Sequence, residues 1–214
     1  PHHSVGLQEV ANLLTDAEVG VISDPSEVEV VGHRVVHGGE SFKATTIISE
    51  PIKEKIKELF SLAPLHNPAN YLGIEVAEKI FPNAKQIAVF DTAFHQTMPE
   101  KAYRYAIPAK FYTEKRIRAY GFHCTSHKYV SEQAMKKLNN PAAKIITIHL
   151  GNGCSMSAVD AGRSVDTSMG LTPTGGVIMG TRVGDIDPGV LLYLMREMKF
   201  DVAKLADLVD HKSG

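Results

Sequence analysis

Two glycine-rich stretches and a scatter of arginines and histidines carry the residues able to do chemistry. In HLGNGCSMS (149 to 157), Gly151 and Gly153 flank Asn152 directly after a β-rich run. Glycines so placed let the backbone turn tightly and bring N–H groups against a phosphate with no Cβ in the way. The stretch is not a Walker A loop, since no Gly-Lys-Ser/Thr follows, nor a dinucleotide fingerprint, since the third glycine is out of register. A short turn between two strands accounts for it equally well. The second stretch, DTSMGLTPTGGVIMGTRVGDIDPG (166 to 189), holds six glycines with Arg182, Asp185 and Asp187. Loops of that length are uncommon in compact domains unless they serve a function.

Arg34, in GHRVVHGGE, lies inside an apolar run. A guanidinium there loses hydration unless it meets an anion, and its planar fork suits a carboxylate or phosphate. It would form a two-arginine clamp with Arg182; an internal Asp or Glu partner is the alternative. Seven of the ten histidines fall between positions 33 and 149. No His-Glu-x-x-His or paired Cys-x-x-Cys accompanies them, so a compact zinc set is not indicated. In YGFHCTSHKYV, His123 and His127 are four apart, but with Ser126 as N-cap of the following helix they do not share a helical face. A Cys124 nucleophile would need a base oriented by a third group, which the neighbouring histidines do not guarantee.

The elements that must position these residues follow from apolar periodicity, in an α/β alternation. Helices are expected over 7–14, 51–62, 68–80, 126–138 and 188–198, the last with Pro188 in its first turn. A buried strand leading into a glycine turn is expected over 28–39, apolar strand-like runs over 86–95 and 144–153, and a hairpin strand over 155–160. Asp91 and His149 fall toward the carboxyl ends of their runs, where α/β sheets bind ligands. Residues 96–118, with Pro99 and Pro108, read as an irregular crossover between two lobes.

With 214 residues, 43% hydrophobic and 22% charged, the chain is long enough for one or two globular domains. Lys plus Arg (23) balances Asp plus Glu (24), so no global field draws it to nucleic acid or an anionic membrane. Two cysteines are too few for a disulfide framework and favour a reducing, cytoplasmic setting. No apolar run approaches the roughly 20 residues of a spanning helix. The start lacks an initiator methionine and the end lacks a terminating feature, so both ends are expected to be cut.

The segments GHRVVHGGE, HNPAN, VFDTAFHQTMP, YGFHCTSHKYV, HLGNGCSMSAVDAGRSVDTSMGLTPTGG and MGTRVGDIDPG stand in the order and spacing of the acetate kinase family, which the chain resembles over nearly its whole length. The resemblance implies an α/β fold of the actin, sugar kinase and Hsp70 type (ribonuclease H-like), two-lobed with the site in the cleft. It would be incomplete here, with residues 1–93 in the first lobe and 94–214 opening the second. It implies reversible phosphoryl transfer from ATP to acetate, giving acetyl phosphate and ADP, with Mg²⁺ or Mn²⁺, in a cytoplasmic homodimer. By position, Arg34 and Arg182 match the arginines that hold the carboxylate and the migrating phosphoryl group. His123 matches the imidazole on the phosphoryl oxygens, and Asp91 an active-site aspartate with an indirect tie to the metal. His149, Leu150, Gly151, Asn152 and Gly153 match the loop on the ATP phosphates. Val36, Leu65, Phe122 and Pro173 match the pocket for the acetate methyl, and His66 a supporting histidine.

Propionate kinases share these motifs, but Val36 is bulkier than the alanine expected in a propionate pocket. The other readings are a non-catalytic acyl-phosphate-binding module and a metal-dependent hydrolase built on the histidines. An isolated 214-residue piece is expected to have little kinase activity. Cys124 departs from the glycine of the family's Phe-His-Gly-Thr-Ser-His, and a Cβ there would strain the loop if that position needs positive φ.

Overall fold

A computed structural model describes residues 3 to 64 and 66 to 214, in two units, Pro1–Ala93 and Phe94–Gly214. The first unit contains helix α1 (His3–Leu14), strands β1 (Val30–Val35) and β2 (Thr46–Ile47), helices α2 (Glu50–Glu58) and α3 (Asn67–Ile80), and strand β3 (Lys85–Phe90). Its sheet has the order β1-β3-β2, with β1 parallel and β2 antiparallel to β3.

The apolar runs build the core of this unit. Val35, Ala88 and Phe90 from the sheet pack with Ile56 of α2 and Tyr71 and Ile74 of α3, all buried. Phe42 stacks on Phe90 with ring centroids 4.0 Å apart. Gly38 permits that contact, because a Cβ there would lie 2.9 Å from Phe90 Cβ. The first strand stops at Val35 and leads into the expected glycine turn. The chain is turned there by α3: Asn67 accepts from the His37 amide and donates to the His37 carbonyl, both at 3.0 Å. Gly39 completes the turn at φ 57.

The second unit opens with a 3₁₀ turn (Phe94–Thr97) and helices α4 (Glu100–Tyr103) and α5 (Lys110–Lys115). Residues 96–118 are therefore more ordered than expected. Pro99 is the N-cap of α4 and Pro108 stands two residues before α5, positions where a missing N–H costs nothing. Helix α6 (Cys124–Leu138) follows, then the antiparallel meander β4 (Lys144–Leu150), β5 (Cys154–Asp160) and β6 (Arg163–Thr167). Helices α7 (Pro188–Glu197) and α8 (Val202–His211) close the chain. Asp187 and Asp201 cap them through side-chain bonds to the Gly189 and Lys204 amides, each 2.8 Å.

On β4 the alternation turns the apolar side chains outward. Thr147 is buried, whereas Ile146, Ile148 and Leu150 are exposed. Thr147 Oγ1 reaches His127 and the His149 ring reaches Ser126, so the polar face of the strand meets α6.

Candidate active site

In the first unit the register of the sheet sets the chemistry. Arg34 stands opposite Val89, and Val35 opposite Phe90. Asp91 continues the ladder by donating its amide to the Val35 carbonyl (2.9 Å). Two residues on from Val89, Asp91 points to the same side of the sheet as Arg34. Arg34 Nη2 then donates to Asp91 Oδ2 at 2.6 Å. The pair is asymmetric: the Asp91 side chain is 4% exposed and that of Arg34 62%. A buried carboxylate thus holds an arginine that still faces solvent, so the internal partner and the anion contact are both available to one guanidinium.

Val36 is buried beside this pair in sequence, its amide held by Asn70 Oδ1 at 3.1 Å. His66 is exposed at the N-cap of α3, its carbonyl accepting from the Asn70 amide (2.9 Å). Leu65 lies outside the described residues.

In the second unit the two glycine stretches dock on one another. The Gly180 amide donates to the Asn152 carbonyl (3.1 Å), and a Cβ on Gly180 would lie 2.5 Å from Asn152 Oδ1. A Cβ on Gly153 would stand 3.0 Å from Arg182 Nη1 and 3.3 Å from His123 Nε2. The glycine therefore leaves one point on which a guanidinium and an imidazole converge. Arg182 is held by its Nη1 donating to the Pro173 carbonyl (3.2 Å). Its loop is closed by Asp185, whose Oδ1 accepts from the Gly176 amide (2.7 Å), and tied to α8 by Thr174 Oγ1 donating to Asp210 Oδ1 (2.5 Å). These anchors make the long glycine loop a fixed frame without regular secondary structure.

His123 precedes α6 as its N-cap, in the left-handed region at φ 59. Two expectations are corrected here. Ser126 is not the N-cap: the helix starts at Cys124, and the Ser126 hydroxyl instead meets His149 Nδ1 at 2.9 Å. Cys124 does not need positive φ, because the left-handed residues at this turn are Gly121 (φ 69) and His123. Cys124 takes helical geometry with its side chain buried, so its Cβ imposes no backbone strain.

The His123 ring stacks on His149 with centroids 4.0 Å apart. Its Nδ1 lies 2.8 Å from Ser155 Oγ, and the same hydroxyl lies 2.7 Å from His127 Nε2. His127 Nδ1 is in turn 2.7 Å from Thr147 Oγ1. The His123–His127 pair therefore brackets a serine hydroxyl. The sequence reading missed Ser155, which stands opposite His149 on the neighbouring strand, and Thr147, two residues before His149 on the same face of β4. It also missed His95, buried with Nδ1 on Ser164 Oγ (2.7 Å) and Nε2 donating to the Phe122 carbonyl (3.1 Å). That bond fixes the backbone just before His123, and the Phe122 side chain is itself buried. Leu150 is 80% exposed at the end of β4.

The chain superposes on solved structures over its full length. The acetate kinase of Porphyromonas gingivalis gives a TM-score of 0.94 at 45% identity, covering 100% of this chain and 54% of that one. A propionate kinase of Francisella tularensis gives 0.93 at 45% identity, covering 99% and 54%. The chain thus has the α/β fold of the actin, sugar kinase and Hsp70 class, incomplete, since it covers about half of each neighbour. The model of the acetokinase family matches residues 1–214. An acetate kinase of Flavobacterium johnsoniae is 58% identical over 214 residues, covering 100% of this chain and 54% of the relative. The chain belongs to the acetokinase family and spans about half the length of the relatives it matches.

Proposed function

We propose that the protein carrying this chain is an acetate kinase, transferring the γ-phosphoryl group of ATP to acetate and back. The observation that carries this reading is the convergence of Arg182 Nη1 and His123 Nε2 on Gly153, within the glycine turn between β4 and β5. Phosphoryl transfer passes through a loose transition state with charge on the equatorial oxygens, so its catalysis is positioning and electrostatics. A fixed guanidinium, an imidazole and backbone amides of a glycine turn are donors of that kind.

In this reading the acetate oxygen forms the new P–O bond as the bond from γ-phosphorus to the β,γ-bridging oxygen breaks, leaving ADP. Acetate is already ionised at neutral pH, so no general base is required. Asp91 then serves by holding Arg34 toward the carboxylate, which the 2.6 Å bond supports. The family resemblance assigns the ATP phosphates to His149 to Gly153 and the acetate methyl to Val36, Leu65, Phe122 and Pro173.

The donor set suits a cation held mainly by phosphate oxygens and water. Mg²⁺ at nucleotide sites takes few protein ligands and keeps several waters beside the phosphates. Mg²⁺ or Mn²⁺ would neutralise charge on the β- and γ-phosphates, with Asp91 as the carboxylate nearest in role to its water shell. A cytoplasmic setting is proposed, which the two cysteines of the chain suit. Homodimerisation is proposed on the family resemblance.

Acetate is assigned over propionate because Val36 is a buried, bulkier residue than the expected alanine. In the full-length protein kcat/KM is expected to favour acetate, and Val36→Ala to move the ratio toward propionate by the about 10- to 200-fold that one methylene commands. A wild type that prefers propionate would overturn the substrate assignment. A wild type that forms neither acyl phosphate would leave a non-catalytic binding module.

A further inference from the structure

His123 stands at one end of a chain of hydrogen-bonding groups whose other end lies against a backbone carbonyl. Thr147 Oγ1 lies 3.5 Å from the Ser157 carbonyl. A carbonyl only accepts, so the Thr147 hydroxyl donates there and receives the proton on His127 Nδ1, 2.7 Å away. His127 is 1% exposed, and burial disfavours a charge on it. Its Nε2 is then an acceptor, filled by the Ser155 hydroxyl at 2.7 Å. With its one proton given to His127, Ser155 Oγ accepts from His123 Nδ1 at 2.8 Å. With the chain running in that direction, neutral His123 carries its proton on Nδ1 and a lone pair on Nε2. Nε2 is the nitrogen that lies beside Gly153 and Arg182.

We propose that Ser155, His127 and Thr147 are positioning residues that lock His123 in the Nδ1–H tautomer, so that it can donate to a phosphoryl oxygen only as the imidazolium. This rests on the assignment of His123 to the phosphoryl group made above. The consequence is a kinase whose rate falls on the alkaline side as His123 loses its Nε2 proton. The titratable and charged groups that the described contacts bring to His123 are His127 from α6, His149 from β4 and Arg182 from the glycine loop. Tautomer choice separates this from simple steric support: a structural serine would orient the ring without deciding which nitrogen holds the proton.

The test combines ¹⁵N chemical shifts of the His123 ring with kcat–pH profiles, in the full-length protein and in Ser155→Ala and Thr147→Val. Valine is close to threonine in shape and lies at the far end of the chain. In the wild type above the titration, His123 is expected to show a protonated Nδ1 and a bare Nε2. Thr147→Val removes the acceptor for His127 Nδ1, so the whole chain reverses and neutral His123 moves its proton to Nε2. The alkaline fall in kcat should then flatten, with KM for acetate changed by less than about twofold. Ser155→Ala should lower kcat about tenfold at neutral pH and flatten the same limb. An Nε2–H tautomer in the wild type, or variants with unmoved ring shifts and an unmoved alkaline limb, overturns the proposal. A wild type with the Nδ1–H tautomer but no acyl phosphate formation would instead defeat the kinase reading and leave the tautomer lock standing.

Discussion

Gly153 shows how one residue without a side chain organises several with them. A Cβ there would press on Arg182 Nη1 at 3.0 Å and on the His123 ring at 3.2 and 3.3 Å. Both groups would have to give by a few tenths of an ångström, a fraction of the displacement near 1 Å that costs about 100-fold in rate. Gly153→Ala is therefore expected to lower kcat by up to about tenfold while the melting temperature stays nearly unchanged. A wild-type kcat in that variant would show that the two side chains do not act from this point. His123 adds a second residue-scale lesson. A non-glycine residue at positive φ costs on the order of 1 kcal/mol or more and persists only where surrounding contacts hold it. Here the stacking on His149 and the bond to Ser155 supply those contacts. The strain expected at Cys124 belongs to its neighbour instead.

At the scale of elements, the junction of β1 with α3 carries a pH dependence. His37 is fully buried, and burial pushes its pKa down from 6.5 to about 4. Its Nδ1 accepts from the Gly39 amide at 3.0 Å, a bond that protonation of that nitrogen would break. The unfolded chain takes up this proton first as pH falls, so the stability is complete above about pH 6.5 and is lost toward pH 4, to a total of about 3 kcal/mol. Urea midpoints at pH 7.5, 6 and 4.5 should fall more steeply in the wild type than in His37→Asn, which keeps an acceptor but does not titrate. Parallel slopes would remove His37 from the account.

Much of this scale was legible in the sequence. The apolar runs and helical spacing gave β1, β3, α2, α3 and α7 to within a few residues, because tertiary packing agrees there with local pattern. Helix α8 was missed although VAKLADLV has helical spacing and Asp201 caps it. The start of α6 was misplaced because Ser126 is a good N-cap by type, and only the approach of His149 reveals that its hydroxyl is engaged elsewhere. Of the site, the glycine turns and arginines could be read from residue type. The hydroxyls that orient the histidines could not, since their role depends on which strand faces which.

At the scale of the molecule, the near-zero net charge leaves anion recognition to local donors, and each unit has such a set. In the proposed reading Arg34 backed by Asp91 serves in one unit and His123 with Arg182 in the other. The acetokinase family match over residues 1–214 supports that reading, and the chain spans about half the length of its relatives. The most direct measurement is ³¹P NMR of the full-length protein with ATP, Mg²⁺ and acetate, alongside Arg182→Ala. The account predicts an acetyl phosphate resonance growing with that of ADP in the wild type, and a rate at least about 100-fold lower in the variant. ADP released with inorganic phosphate and no acetyl phosphate, or an Arg182→Ala variant as fast as the wild type, would contradict it.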